Sequence, residues 1–223
     1  MMNILIVSAT ENEILIFKNY VSKNSESLQL SGQKANIDFL ITGIGIMFTT
    51  YKLTQKLTQK KYDLIINAGI AGAFNKNLKL GDIVNVISET FGDFGIDDNG
   101  NFKTMFDAEL IDKNLSPFDN GKIINNFNHN YDFINNLQKT SGITVNTVSG
   151  DKSKITDLNK KFNTDIETME NIAIFYICKM QNINFIALRA ISNYVENRNK
   201  KNWKTNLAIQ NLNNFLINNF YKI

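Results

Sequence analysis

The sequence predicts an α/β domain in which a central mixed sheet is flanked by helices. Three observations lead to this prediction. Short apolar runs that suit buried strands alternate with longer segments whose apolar residues recur at helical spacing. Four of the runs lead into glycine-rich or polar segments, as expected where the strands of such a sheet end at a ligand site. The length of 223 residues suits one domain with one core, so we expect a single domain over residues 1–223.

Strand and helix patterns alternate regularly through the first half of the chain. Residues 4–7 form an apolar run that predicts the first strand. Residues 11–21 predict a helix because Ile14, Phe17 and Val21 recur at helical spacing. The other predictions for this half are strands over 37–41, 64–67 and 83–87 and a helix over 47–59.

The second half contains the longest irregular stretch and the most apolar helix. Residues 97–130 predict a long loop, and long loops in compact domains are often functional. Asp151 predicts a helix N-cap, because its side chain can accept hydrogen bonds from the first turn. The inward face of that helix is expected to consist of Ile155, Leu158 and Phe162. The other predictions are strands over 143–148 and 185–190 and helices over 169–180 and 202–220.

Composition and charge exclude several classes of protein. The net charge of +3 is small and the basic residues are scattered, so we expect no nucleic-acid binding. No apolar stretch approaches the roughly 20 residues that span a bilayer, and the N-terminus lacks a signal-peptide pattern. The lone Cys178 fits a reducing cytosol. With one histidine, His129, which we expect at the surface, the chain lacks the ligands of a zinc site. We therefore expect a cytoplasmic protein without membrane contact or metal.

Two of the segments that follow predicted strands contain glycines that would let a ligand approach the backbone closely. They are Gly43-Ile44-Gly45 and Gly69-Ile70-Ala71-Gly72, and a tight turn explains each of them at least as well. Neither is a dinucleotide fingerprint, because Phe48 stands where a third glycine is needed. Neither has a lysine at the spacing of a P-loop.

The other two segments carry acidic residues. Glu11 or Glu13, after the first strand, could serve as a general base or could simply favour a helix N-terminus. Ser149-Gly150-Asp151 could contact the edge of a bound base or could simply cap the next helix. For each segment taken alone, the structural interpretation is preferred.

A further cluster of polar residues lies nearer the C-terminal end. Met169-Glu170 opens the apolar helix, and the strand that follows leads into Arg189-Ala190-Ile191-Ser192-Asn193. A carboxylate, a thioether and a carboxamide brought together there could hold a ribose and the purine attached to it. Taken alone, Asn193 could also cap the loop after the strand.

In this order, the segments resemble the purine nucleoside phosphorylase and nucleosidase superfamily. The resemblance covers nearly the whole chain, from the first strand and its acidic turn through the two glycine segments to the ribose and base motifs that end at Glu170 and Asn193. Within the superfamily, the chain most resembles the futalosine hydrolases of menaquinone biosynthesis. The residues that carry this finer resemblance are Phe91-Gly92-Asp93-Phe94-Gly95-Ile96-Asp97-Asp98 and Ser192-Asn193-Tyr194-Val195-Glu196.

The resemblance implies a hydrolase without metal or cofactor that cleaves the N-glycosidic bond of a small nucleoside. Glu13 and Asn193 would be catalytic, with Glu13 activating the attacking water. Glu170 would accept hydrogen bonds from the ribose hydroxyls, and Met169 would pack against the sugar. The other implied substrate-binding residues are Gly69, Ile70, Gly72, Gly150 and Asp151. The superfamily forms dimers or larger assemblies, so we expect a homodimer or a larger homo-oligomer.

Asn193 stands where the nucleosidases have an aspartate, and this difference bears on the base. That aspartate protonates the imidazole ring of adenine and then accepts from its N–H and its 6-amino group. A hypoxanthine leaving group presents an N–H beside a 6-oxygen, and an asparagine offers the complementary acceptor and donor. We therefore expect hypoxanthine release from futalosine, although Asn193 cannot act as a general acid.

Other functions are still open from the sequence. An adenine-releasing nucleosidase could act on methylthioadenosine, S-adenosylhomocysteine or aminodeoxyfutalosine, and a non-catalytic protein could bind purine nucleosides. A phosphorylase is disfavoured, because those enzymes hold phosphate with arginines near the glycine segments and no arginine precedes Arg189. The sequence does not identify the residue that stacks on the base. The candidates for binding the benzoate tail of futalosine are Lys152, Lys154 and Arg198.

Overall fold

A computed structural model describes residues 1–24, 28–127 and 131–222 and contains a large mixed sheet. In the first half of the chain the strands are β1 (Met2–Ser8), β2 (Leu28–Leu30), β3 (Gln33–Ile41), β4 (Leu64–Ala73), β5 (Ile83–Phe91), β6 (Gly95–Asp98) and β7 (Asn101–Thr104). In the second half they are β8 (Ile123–Ile124), β9 (Gln138–Thr144), β10 (Ile166–Thr168), β11 (Phe185–Tyr194) and β12 (Phe220–Lys222).

Six α-helices are found in the described residues. They are α1 (Glu11–Asn24), α2 (Ile46–Gln59), α3 (Asp132–Asn135), α4 (Lys152–Phe162), α5 (Asn171–Met180) and α6 (Thr205–Asn219). A short 3-10 helix, Lys200–Asn202, precedes α6. The predicted α/β fold with a central mixed sheet flanked by helices is confirmed.

The order of strands in the main sheet is β10-β9-β5-β11-β4-β1-β3-β2-β12, with β8 paired to β5. Strands β3, β1, β4 and β11 run parallel to one another, whereas β5 is antiparallel to β11 and β10 is antiparallel to β4. Strand β10 pairs with β9 and also with β4, so β4, β11, β5, β9 and β10 form a closed ring. This closure brings the residues just before Met169 beside the glycine segment of β4.

Apolar residues fill both faces of the sheet. Ile14, Phe17 and Val21 of α1 are buried as predicted, and they belong to a cluster that also contains residues of β1, β4, β11 and α6. A second cluster on the other face includes Leu53 of α2 and Phe175 of α5. Packing of these two clusters on the sheet holds the strands in place, so the polar side chains at the strand ends have fixed positions.

Two strands extend further than the sequence predicts. The strand predicted over 64–67 continues through the glycine segment to Ala73, and the strand predicted over 185–190 continues to Tyr194. Gly69 to Gly72 is therefore strand and not a tight turn, and Asn193 lies inside a strand and not in a loop after it. Pairing with β10 and β11 supplies the hydrogen bonds that local propensity does not reveal.

Other boundaries also differ from the predictions. The strand predicted over 143–148 is instead β9 and ends at Thr144, because the backbone N–H groups of Asn146 and Thr147 donate to Asp93 instead of a neighbouring strand. The stretch 97–130, predicted as a loop, contains the end of the β6–β7 hairpin and β8. The sequence did not predict β10.

Asp151 caps α4 as predicted, with its side chain accepting the backbone N–H groups of Ser153 and Lys154. The predicted inward residues of that helix are half-buried and pack on a small cluster that includes Ile143 and Val195. Within the described ranges, no helix combines the length and apolar character that a membrane span requires. His129 lies outside the described residues.

Candidate active site

Glu13 is a buried carboxylate in the first turn of α1, with 7% of its surface exposed. Its Oε2 atom accepts hydrogen bonds from the hydroxyl of Ser8 at 3.2 Å and from the N–H and hydroxyl of Thr10 at 2.9 and 2.8 Å. Its Oε1 atom accepts the backbone N–H of Ile70 at 3.1 Å. Both oxygens are thus held in place between the end of β1 and the middle of β4.

Gly69 is required by the close approach of the Glu13 carboxylate. A Cβ atom at this position would lie 2.9 Å from Oε1 of Glu13 and in ordinary contact, at 3.6 Å, with Cζ of Arg189. Only glycine leaves the Glu13 side chain in place without a shift. Gly69 and Ile70 were predicted to contact a ligand. In the structure both lie against the carboxylate of Glu13.

Glu170 stands at the N-terminal end of α5, immediately after β10 and Met169. Its Oε1 atom accepts the backbone N–H of Gly45 at 2.9 Å, so the first glycine segment positions this carboxylate. Burial raises the pKa of Glu170, while the positive charge of Arg189 and the N–H of Gly45 oppose the rise and Glu13 adds to it. The structure therefore brings the two predicted carboxylates into one electrostatic cluster.

Arg189 is the buried cation of that cluster, with 2% of its surface exposed. Its Nη1 atom donates to the backbone oxygens of Asn67 at 3.3 Å and Leu188 at 2.8 Å, and its Nη2 atom donates to Oδ1 of Asn171. Burial lowers the pKa of Arg189, and the opposing negative charges are those of Glu170, Glu13 and Glu89. The guanidinium is thus fixed by neutral groups and compensates nearby carboxylates through space.

Behind Arg189 lies a fully buried polar network that centres on Glu89 of β5. Its carboxyl oxygens accept the hydroxyl of Thr144 at 2.9 Å and the Nδ2 group of Asn171 at 3.0 Å. Burial raises the pKa of Glu89 to about 8, although both hydrogen bonds and the charge of Arg189 oppose the rise. A side chain at Gly142 would collide with this carboxyl group. Asn171 therefore links Glu89 to the cation of the site.

Asn193 lies on β11 opposite Gly72 of β4, after an irregularity in register at Ser192. Its Nδ2 group donates to the backbone oxygen of Tyr194 at 3.0 Å, and its Oδ1 atom accepts the hydroxyl of Ser192 at 2.8 Å. These contacts fix which end of the carboxamide is the donor. One N–H and one lone pair are still available, which is the donor–acceptor pair expected for a 6-oxopurine.

The remaining predicted residues are distributed around this cluster. Gly72 lies beside Asn193, since a Cβ atom there would be 3.1 Å from Nδ2 of Asn193. Met169 is half-buried beside Glu170, and a Cβ atom at Gly150 would lie 3.4 Å from Cβ of Arg198. Asp151 is exposed and its side chain caps α4. Of its two predicted roles, helix cap and contact with the base, the structure shows the cap.

The arrangement can perform acid–base and electrostatic chemistry on a cationic sugar. Glu13 and Glu170 converge where parallel strands end, which is the usual ligand position in an α/β sheet. A carboxylate in such a place can deprotonate water, and two of them can stabilise positive charge that develops on a bound ribose.

The sequence model of the phosphorylase superfamily matches residues 39–219. The chain belongs to this superfamily. Among its curated relatives, the 5'-methylthioadenosine/S-adenosylhomocysteine nucleosidase of Haemophilus influenzae (strain PittEE) is 29% identical over 211 residues, with 86% of each chain covered. The nucleosidase of the same name from Buchnera aphidicola subsp. Acyrthosiphon pisum (strain Tuc7) is 28% identical over 206 residues, covering 90% of this chain and 87% of the relative.

Solved structures share the superfamily fold over nearly the whole chain. A 5'-methylthioadenosine/S-adenosylhomocysteine nucleosidase from Helicobacter pylori, solved with butyl-thio-DADMe-Immucillin-A, matches with a TM-score of 0.77 and 16% identity, covering 97% of this chain and 96% of that one. The native futalosine hydrolase of Helicobacter pylori strain 26695 matches with a TM-score of 0.76 and 16% identity, covering 96% and 95%. At this identity both comparisons show the fold alone.

Sequence reasoning missed several buried polar residues near this cluster. Glu89, Asn171 and Thr144 sit within or beside apolar segments, where a polar residue is a sign of a buried network. Glu167 was also missed, because β10 is only three residues long and has no periodic pattern. The signal that could have found these residues is an isolated acidic or amide side chain within or next to a segment that is predicted to be buried.

Proposed function

We propose that the protein is a hydrolase that cleaves the N-ribosyl bond of a purine nucleoside. The observation that carries this proposal is the convergence of Glu13, Glu170 and buried Arg189 at the strand ends. Nucleosidases among the curated relatives support the same class of reaction. A non-catalytic nucleoside-binding protein is disfavoured, because two carboxylates held in place by backbone N–H groups serve catalysis better than binding alone.

In the proposed reaction, Glu13 accepts a proton from the attacking water while the sugar becomes cationic. Cleavage of a glycosidic bond passes through an oxocarbenium-like state, which nearby carboxylates stabilise. Glu170 accepts hydrogen bonds from the ribose hydroxyls, and its fixed bond to Gly45 orients it for this contact. Arg189 balances the negative charge of the two carboxylates before the sugar cation forms.

Hydrolysis is favoured over phosphorolysis because the carboxylate of Glu13 faces the glycine segment of β4. The N–H of Ile70 donates to Glu13, so a phosphate ion at this position would meet a carboxylate. Arg189 has only 2% of its surface exposed, which leaves it unsuited to cradle an incoming phosphate. Arg198, the other arginine of the chain, is exposed beside Trp203.

The proposed leaving group is hypoxanthine, and the proposed substrate is futalosine. The support is the free acceptor and donor of Asn193, which complement an N–H beside a 6-oxygen. The backbone of Gly150 lies near the stem of Arg198, since a Cβ atom at Gly150 would be 3.4 Å from Cβ of Arg198, and this proximity supports Arg198 as the cation for the benzoate tail, ahead of Lys152 and Lys154. The second candidate is release of adenine from methylthioadenosine, S-adenosylhomocysteine or aminodeoxyfutalosine, which the names of the curated relatives favour.

One assay separates these functions. The purified protein is incubated with futalosine, inosine and methylthioadenosine, and the free base is followed by chromatography. Hypoxanthine from futalosine is the expected product, whereas adenine as the main product would establish the second candidate. Binding without release from any of the three would indicate a non-catalytic protein. Ribose 1-phosphate products on addition of phosphate would indicate a phosphorylase.

We also propose that the protein forms a homodimer through an exposed apolar stripe at the start of α2. The stripe consists of Ile44, Met47, Phe48 and Tyr51, which recur at helical spacing and are 52 to 72% exposed. It begins beside Gly45, whose N–H holds Glu170, so a second copy placed on it would border the site. A symmetric self-association is the commonest way to cover such a stripe in a soluble protein.

The dimer is tested by the molar mass of a stripe variant in solution. Met47→Lys is expected to reduce the mass measured by light scattering to that of a monomer. Thr50→Lys, exposed on another face of the same helix, is the matched control and should leave the mass unchanged. A monomeric parent protein, or a dimer that survives Met47→Lys, would contradict the proposal.

A further inference from the structure

Asn213 of α6 is a fully buried carboxamide with no part in the chemistry described above. A buried polar side chain is costly unless hydrogen bonds satisfy it. Its Oδ1 atom accepts the backbone N–H of Phe17 at 2.8 Å. Its Nδ2 group donates to the backbone oxygens of Glu13 at 2.8 Å and Ile209 at 2.7 Å. Two of these three bonds therefore join Asn213 to a different helix, α1.

The two groups that Asn213 contacts in α1 belong to a single helical turn. In a regular α-helix the N–H of one residue donates to the backbone oxygen four residues earlier, so Phe17 and Glu13 would be direct partners. The carboxamide bonds to both groups, and a side chain that enters the hydrogen-bond ladder in this way alters the local geometry of a helix. The backbone at Glu13 is thus fixed by a residue 200 positions further along the chain.

The carboxylate of Glu13 is tied to the same turn and to the sheet. Thr10 directly precedes α1 and Glu13 follows three residues later, which is the spacing of a capping box. Oε2 of Glu13 accepts the N–H of Thr10 at 2.9 Å, as the glutamate of that motif does. Oε1 accepts the N–H of Ile70 on β4 at 3.1 Å. Movement of the backbone at Glu13 would therefore strain at least one of these two bonds.

We propose that Asn213 is a positioning residue that holds the first turn of α1, so that the carboxylate of Glu13 meets the attacking water at the productive distance. The inference rests on the proposed function, in which Glu13 is the base. With 0% of its surface exposed, Asn213 acts only through Glu13. A displacement of about 1 Å in a reacting group can lower a rate by about 10²-fold, so a contact to the backbone of the base is enough to affect turnover.

The alternative role of Asn213 is to join α6 to α1 without any effect on the reaction. The two helices already share an apolar cluster that contains Phe17 and Leu216. If Asn213 were only a further anchor in this interface, its loss would lower stability and leave the kinetics of the folded enzyme unchanged. Kinetics measured well below the unfolding temperature of each variant therefore separate the two roles.

Two variants of Asn213 and one control are needed. Asn213→Ala removes all three bonds, and Asn213→Thr is a second variant that is similar in size to asparagine and leaves a smaller cavity. The matched control is Leu216→Ala, three positions further along α6. Leu216 is also buried, so its truncation weakens the packing of the same helix while the bonds from Asn213 to α1 are retained.

The first readout is the steady-state kinetics of cleavage. Both Asn213 variants are expected to lower kcat by about 10- to 100-fold and to change KM by less than about two-fold, because the lost interaction acts on the transition state and not on substrate binding. Leu216→Ala should leave both constants unchanged. In a Glu13→Gln background, Asn213→Ala should lower kcat by less than about two-fold, since the group through which Asn213 acts is already lost.

The second readout requires no turnover. The backbone amide resonance of Ile70 in nitrogen–proton correlation spectra reports its bond to Oε1 of Glu13. The proton signal should move upfield in Asn213→Ala and Asn213→Thr, as expected when a hydrogen bond to a charged acceptor lengthens. Leu216→Ala should leave the signal close to its position in the parent protein.

An unchanged kcat in the Asn213 variants of an active enzyme would overturn the inference, as would an Ile70 signal that moves equally in Leu216→Ala. Fully additive losses of kcat in the Glu13→Gln background would also overturn it, because Asn213 would then act through another group. If the parent protein cleaves no nucleoside but the Ile70 signal still depends on Asn213, the proposed hydrolase activity fails and the positioning of Glu13 by Asn213 stands.

Discussion

The backbone N–H of Ile70 donates to Oε1 of Glu13 at 3.1 Å, so the glycine segment of β4 binds a carboxylate that belongs to the protein itself. Gly69 permits this contact, because any Cβ atom there would approach the same oxygen to 2.9 Å. A segment that could have cradled an external anion instead orients an internal carboxylate. This relationship supports the proposal that water is the nucleophile.

Glu13→Gln is expected to lower kcat by about 10²- to 10⁴-fold, the usual contribution of a general base. The change also replaces one carboxylate oxygen with an NH2 group. In one orientation this group faces the N–H of Ile70, and in the other it faces the N–H and hydroxyl of Thr10. An unsatisfied buried donor costs about 1–3 kcal/mol, so the free energy of unfolding should fall as well. Single-turnover assays and urea unfolding measure the two effects separately.

The matched control for that variant is Glu11→Gln, two residues away on the same helix. Glu11 is exposed and pairs with Lys18 at the surface, so its loss should change neither activity nor stability appreciably. Full activity in Glu13→Gln, or an equal loss in both variants, would show that Glu13 is not the base.

Asn193→Asp is expected to move the preference from hypoxanthine release toward adenine release. The new carboxyl oxygen would replace the Nδ2 group that donates to Tyr194 O at 3.0 Å, so it must carry a proton to avoid repulsion. During cleavage the acid can give up its bond to Tyr194 and transfer its one proton to the leaving base, whereas the N–H that donated to the 6-oxygen is lost. We expect hypoxanthine release to fall by about 10²- to 10³-fold, as when a positioned donor is removed. Parallel assays with futalosine and methylthioadenosine measure the ratio, and an unchanged ratio would contradict the assignment of Asn193.

Glu89→Gln is expected to flatten the dependence of stability on pH. Burial raises the pKa of Glu89 to about 8 in the folded protein, against 4.5 for a free side chain. Between these values the folded state keeps a proton that the unfolded state has lost, so stability falls as pH rises from about 4.5 to 8, by about 1.4 kcal/mol per pH unit. Glutamine mimics the protonated form, and the variant should therefore be more stable than the parent at pH 8.

Thermal unfolding from pH 5 to 8.5 measures this effect, with Glu196→Gln as a surface control. Glu196 is a partly exposed acid whose ion pair with Lys76 should contribute little. The two unfolding curves of parent and Glu89→Gln should converge at low pH and separate at high pH. Parallel curves would mean that Glu89 is ionised throughout this range.

Arg189→Lys is expected to lower the free energy of unfolding by about 2–5 kcal/mol, because buried hydrogen bonds from a charged donor contribute about 1.5–3 kcal/mol each and more than one of them is lost. A lysine cannot reproduce the fork that reaches Asn67, Leu188 and Asn171 together. Arg198→Lys is the matched control, since Arg198 is exposed, and it should change stability by less than about 0.5 kcal/mol. Urea unfolding measures both, and equal stabilities would contradict the role of Arg189.

Much of the fold follows from local pattern, but strand boundaries depend on pairing. The helix of Ile14, Phe17 and Val21 and the N-cap at Asp151 were predicted because the periodicity and the cap are local properties. The extension of β4 through Gly69 and Gly72 was not predicted, since glycine disfavours strands unless neighbours supply the ladder. Strand β10 exists only because β9 and β4 pair with it.

The candidate site also has a part that the sequence predicts and a part that only tertiary packing determines. The sequence by itself determined which residue types are available, and it singled out Glu13, Glu170 and Asn193 through an ordered set of short motifs. Motif order is a property of the chain, so it could be read without coordinates. It could not say which acid of the first turn is buried, and only the packing of α1 distinguishes Glu13 from exposed Glu11.

Tertiary structure alone decided how the buried groups face one another. The irregularity at Ser192 shifts the register of β11 by one residue, which places Asn193 opposite Gly72. A shift of one residue moves a side chain to the other face of a strand, so no local pattern could reveal it. Closure of the ring by β10 then brings Glu167 to the other side of Gly72. Long-range pairing, and not residue type, determines which atoms can meet the base.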